Sequence, residues 1–231
     1  MPSVRKLSRL LTALCLWAAA SQAQSYPPPF PRVAAKKLLE NDRVVVWDVT
    51  WPKGHPTALH QHRFDQLSVT LAGGTVKVTR LGQTAVVNKS ELGSVTLTAK
   101  GTVHVEEGLS DVAQRKIMVE LKPSASASVN AGAGVAGAFP REGAVKVMEN
   151  DRAIVWDYTW KPGQPARRHA HYLDSVTVFL EGGTIRTAGD RGAAQDTVRS
   201  AGEAVYSSAS ADAHTEEALR GSPRAVIIEI K

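Results

Sequence analysis

Internal repetition is what most constrains the folding of this chain. Residues 40–76 overlay residues 149–185 without a gap at an offset of 109, and 19 of the 37 positions are identical. Past a one-residue insertion, HVEEG (104–108) meets HTEEA (214–218), and IMVELK (117–122) meets VIIEIK (226–231). Six of the seven histidines coincide under this overlay: His60, His62 and His104 with His169, His171 and His214. A period of this length announces a repeated architecture. Here it also announces two copies of one site.

Around the repeats the chain of 231 residues divides by composition. Residues 1–23 read as a secretory signal: Arg5, Lys6 and Arg9 form a basic start, Leu10 to Ala20 an apolar run, and Ser21-Gln22-Ala23 a small-residue cleavage site. The run is shorter than the ~20 residues that span a bilayer, so a periplasmic or secreted product with no membrane association is expected after cleavage. Residues 24–37 are a proline-rich lead, a spacer or a strap laid over the first unit; 123–144 are a Ser/Ala/Gly-rich linker. That leaves units at 38–122 and 145–231. The single cysteine, Cys15, lies within the signal, which excludes disulfides and thiolate chemistry from the mature protein. The formal charge is +6, but without residues 1–23 there are 25 basic against 22 acidic residues, scattered rather than clustered. Nucleic acid is therefore not an expected partner.

Inside each unit the hydrophobic period is two. Val45, Trp47, Val49 and Trp51 share one parity, repeated by Ile154, Trp156, Tyr158 and Trp160; Leu67, Val69 and Leu71 form a second row, matched by Val176, Val178 and Leu180. Alternation rich in β-branched and aromatic residues predicts strands. Gly73-Gly74 and Gly182-Gly183 read as turns. Trp47, Trp51, Trp156 and Trp160 are expected in packed cores rather than in a ligand cage. The fold class is all-β, with six to eight short strands per unit arranged as a sandwich or barrel.

Residues i and i+2 of a strand point the same way, about 6.6 Å apart. His60-Gln61-His62 and His169-Ala170-His171 can each aim two imidazoles at one point. The third histidine follows 42 residues later in one half and 43 in the other, so it must come from another strand. Three converging imidazoles suit a divalent transition metal with open coordination positions. His55 has Gln164 as its counterpart and is left out of the site.

These residues resemble the cupin superfamily, whose first motif is G-x5-H-x-H-x3–4-E-x6-G and second G-x5-P-x-G-x2-H-x3-N. Gly54, His60 and His62 fit the first, as do Gly163, His169 and His171; Gly93, Gly101 and His104 keep the second, of which Gly202 and His214 remain in the other half. The resemblance implies a bicupin: two tandem double-stranded β-helix (jelly-roll) barrels binding iron, manganese, zinc, nickel or copper. It departs from the motif at the glutamate ligand, where Gln66-Leu67 and Ser175-Val176 stand, and at the second motif's proline, where Ala99 stands. That absence argues against an oxalate-type decarboxylase.

Asp65 and Asp174 are acidic in both halves, but share the parity of the aliphatic rows rather than of the histidines. A bulge between the two would turn them inward, as a fourth ligand or as a partner orienting an imidazole. Glu106 and Glu216 lie two residues past the third histidine, on its face. Enclosed in an apolar barrel, each should have a raised pKa and act as acid or base. The expected function is an exported metal-dependent oxygenase acting on a small organic substrate. The alternative is a non-catalytic periplasmic protein that binds metal or a small ligand.

Overall fold

The computed structural model describes residues 25–124, 128–130, 134–190 and 193–231; residues 1–23, read as a signal, and Cys15 among them lie outside the described residues. The strands are β1 (Ala35–Glu40), β2 (Val44–Trp51), β3 (His60–Gln61), β4 (Asp65–Ala72), β5 (Gly74–Arg80), β6 (Val86–Ser90), β7 (Val95–Thr98), β8 (Val103–Gly108) and β9 (Gln114–Leu121) in the first half. The second half has β10 (Ala136–Gly137), β11 (Val145–Glu149), β12 (Ala153–Thr159), β13 (His169–His171), β14 (Asp174–Gly189), β15 (Gln195–Arg199), β16 (Ala204–Ser207) and β17 (Ser210–Ile230). The chain is all-β, as the alternation predicts.

In the first half a five-stranded sheet, β1-β2-β9-β4-β7, faces a four-stranded sheet, β3-β8-β5-β6. The second half repeats this pairing in one curled sheet, because β14 and β17 are long enough to run through both layers. Gly182-Gly183 therefore sits inside a continuous strand, not in a turn. The pair marks a bend with a shifted register between Glu181 and Gly183, where the strand passes from one layer to the other. A Cβ on Gly183 would lie 2.5 Å from the Arg220 carbonyl oxygen and 2.6 Å from Pro223 Cγ, so only glycine fits the crossing.

The strands bury both faces, and this resolves the parity conflict. Val45, Trp47, Val49 and Trp51 point into the first barrel with Phe30 and Met118, and Trp156, Tyr158 and Trp160 point into the second with Phe179 and Ile227. All four tryptophans of these rows lie in barrel cores. The opposite rows form one core shared by both barrels: Val46, Leu67, Val69 and Val119 pack with Val155, Val176, Val178 and Ile228. Leu67 and Val69 thus look toward the other barrel, while Gln66, Ser68 and Thr70, of opposite parity, are buried on the inner wall.

Candidate metal centres

Pairing of β3 with β8 sets His60 opposite His104, and pairing of β13 with β17 sets His169 opposite His214. His62 follows directly, held by backbone bonds to Thr102 and Gly101. Gly101, at φ 85°, supplies the left-handed residue that turns the chain into β8, three positions before His104. In the first barrel the imidazole centroids lie 4.7–5.3 Å apart; in the second, 4.6–5.2 Å. The six histidines converge as two trios.

The trios fit a metal ion. Nδ1 of His60 donates to the Ala58 carbonyl at 2.9 Å and Nδ1 of His169 to Arg167 at 2.7 Å. Each ring then presents Nε2 as a lone pair. Both Nε2 atoms are buried and have no hydrogen-bond partner among the described residues. Nε2 of His62 and of His104 are 2.9 Å apart. Two ligand bonds of ~2.1 Å at right angles place nitrogens about 3 Å apart. Burial lowers the pKa of His60, His104 and His169, takes His62 to about 3 with help from His104 and His60, and takes His171 to about 4. All five stay neutral near pH 7, the form that ligates. His214 is raised by its contact with Glu216.

The carboxylates divide differently from expectation. Glu216 joins its trio: its Oε1 lies 3.8 Å from His214 Nε2, and its Oε2 3.8 Å from His169 Nε2. Oε2 also accepts from Trp160 Nε1 at 3.0 Å and from Arg141 Nη1 at 2.8 Å. Burial alone would raise its pKa. His214, Arg141 and the neighbouring imidazoles outweigh burial and hold it well below the ordinary carboxylate range. The raised pKa expected of Glu216 is thus not found, and it stands as an anion beside the histidines. Glu106 does not join its trio; its Oε2 accepts from Trp51 Nε1 at 3.1 Å and sits 4.0 Å from Arg32.

Asp65 and Asp174 are not brought to the histidines, which corrects their reading as ligands or imidazole partners. Asp174 lies 2.8 Å from Arg43 Nε of the other half and accepts from the Ala209 N–H; Asp65 lies 3.6 Å from Arg152 and accepts from the Lys100 N–H. Their shared acidity fastens the loop ahead of the third histidine and ties one half to the other. No bulge turns them inward, because the aliphatic row beside them faces the shared core.

The arginines beside the glutamates were missed in the sequence. Phe30-Pro31-Arg32 and Phe139-Pro140-Arg141 are identical triplets at the same 109-residue offset, hidden in stretches read as lead and linker. Phe30 stacks on Trp47 at 4.6 Å and Phe139 on Trp156 at 5.3 Å. The arginines lie over Trp51 at 5.2 Å and over Tyr158 at 3.9 Å. Extending the overlay upstream of residue 40 was the available signal.

A cavity of about 320 Å³ opens beside the second trio, lined by His171, His214 and Glu216 and by hydroxyls that include Ser175, Thr177 and Ser207. Ser175 stands where the cupin motif has its glutamate. In the first half Gln66 holds that place, fully buried.

No protein-family model and no curated protein matches the chain. Solved structures do. AerE from Microcystis aeruginosa superposes with a TM-score of 0.61 at 11% identity, over 90% of this chain and 99% of that one. A cupin 2 conserved barrel domain protein from Leptotrichia buccalis gives 0.56 at 13%, over 85% and 88%. The oxalate decarboxylase of Bacillus subtilis, described with Mn(II) centres, gives 0.58 at 13%, over 82% and 69%. The fold is that of the cupins. Identities this low carry the barrel and not its activity. Two histidine clusters among the described residues could hold a metal ion.

Proposed function

We propose that the protein is an exported bicupin that binds a divalent transition metal in each barrel and acts in the second as a metal-dependent oxygenase on a small organic substrate. The observation that carries this reading is the meeting of His169, His171, His214 and Glu216, the last three at the wall of a cavity large enough for a small ligand. A metal held there by those four residues would supply Lewis acidity and open positions for substrate and dioxygen.

The surrounding side chains do the rest. Arg141 and Trp160 fix one oxygen of Glu216 and leave the other directed toward His214. Ser175, Thr177 and Ser207 offer rotatable donors and acceptors that orient a polar substrate, and Trp160 with Phe179 excludes water from the floor. The first barrel favours a second role, binding without turnover. His60, His62 and His104 are each under 5% exposed, and among the described residues no carboxylate joins them.

Elemental analysis of the purified protein should find iron, manganese, zinc, nickel or copper at close to two equivalents. His60→Ala with His62→Ala should halve the metal and leave dioxygen uptake with a panel of organic acids and phenols intact. His169→Ala with His171→Ala should abolish uptake. A protein that loads metal yet consumes no dioxygen with any substrate would leave binding as its function. Basic Arg5, Lys6 and Arg9 ahead of an apolar run support export, checked by finding Gln24 at the mature N-terminus.

A further inference from the structure

The two barrels share their histidines but not their inner walls. In the first, Val49, Lys116 and Thr70 stand side by side on β2, β9 and β4, in register. The same row of the second barrel is Tyr158, Ala225 and Phe179. The first row carries a lysine; the second carries two aromatic rings, with Arg141 3.9 Å from the Tyr158 ring and Arg199 5.3 Å from the Phe179 ring.

Lys116 is 8% exposed, and its ammonium makes no hydrogen bond or ion pair among the described residues. A cation on a residue this little exposed is costly unless an anion answers its charge. Glu106 acts on it only at longer range and is already shared with Arg32. Glu120, farther along β9, is taken by Trp47 Nε1 at 2.8 Å, and the second barrel has the same pair in Glu229 and Trp156. At this row the barrels therefore differ by one positive charge. Val49, Trp51 and Met118 supply apolar surface around it.

We propose that the first barrel is a binding site for a small carboxylate anion, with the Lys116 ammonium as its counter-charge. One carboxylate matches one uncompensated cation, and the apolar neighbours favour an organic anion over an inorganic one. In the second barrel Ala225 stands at this place, and its arginines are paired, Arg141 with Glu216 and Arg199 with Glu203.

Protein labelled with ¹³C at the lysine ε-carbons and titrated with acetate tests this whether or not the oxygenase reading holds. One lysine resonance, identified by its loss in Lys116→Met, should shift saturably with acetate and stay still with acetamide. Calorimetry should show acetate affinity falling at least tenfold in Lys116→Met, while the exposed control Lys89→Met is unchanged. Lys116→Arg, which keeps the charge, should bind within threefold of the unaltered protein and also identifies the resonance if the methionine variant does not fold. An unmoved Lys116 resonance, equal affinity in Lys116→Met, or an equal response to chloride would overturn the proposal.

Discussion

A glutamate two residues past the third histidine occurs in both halves, yet Glu106 and Glu216 are held differently. Arg141 reaches its glutamate at 2.8 Å, whereas Arg32 stops at 4.0 Å. Arg141→Met should therefore weaken metal binding in the second barrel by about tenfold, the scale of losing a partner to a ligand. Arg32→Met should change the first barrel's affinity by much less; chelator competition on each variant reads both. Burial, partly offset by the tryptophan hydrogen bond, raises the pKa of Glu120 and of Glu229. A carboxyl with a raised folded pKa favours the fold while protonated, and that contribution fades as pH climbs through the folded value. Glu120→Gln should accordingly melt higher than the unaltered protein at pH 7 and match it near pH 4, by thermal denaturation across that range. The histidines were legible in the sequence because identical residues at a fixed offset need no geometry to be recognised. Asp65 and Asp174 were misread because parity was judged against a single core, and the strand that carries them serves two.

At the level of strands, period-two alternation located β2, β4, β9 and their counterparts. The Gly182-Gly183 pair misled for a physical reason. Close backbone approach and tight turning both select glycine, and only the pairing of β14 with β17 distinguishes them. Gly183→Ala should destabilise by about 2 kcal/mol, typical of forcing extra atoms into a packed position. In a domain of this size that lowers the melting temperature by roughly 4–8 °C. A melt within 1 °C of the unaltered protein would show that the crossing has room to spare. The Phe-Pro-Arg straps escaped notice because proline-rich and glycine-rich surroundings mask a three-residue identity. Their placement on Trp47 and Trp156 depends on rings brought in by β2 and β12.

The whole molecule is held by the core between the barrels and by two ion pairs that cross it reciprocally: Arg43 with Asp174, and Arg152 with Asp65. They are equivalent by offset and unequal by burial. The first pair is under 10% exposed; the second is about one-third exposed. Asp174→Ala should cost about 3 kcal/mol, as expected when one partner of a buried pair is removed. Asp65→Ala should cost under about 1 kcal/mol; denaturant titration of both variants distinguishes the two. Contacts that recur with the halves exchanged are the mark of a self-complementary surface, as in a two-fold dimer of identical chains. Tethering replaces encounter between separate molecules with a local concentration on the order of millimolar. It also lifts a constraint that binds every true homodimer: identical subunits must share one interior, whereas fused ones can change a single chamber. The lysine present in one chamber and missing from the other is a change of that kind.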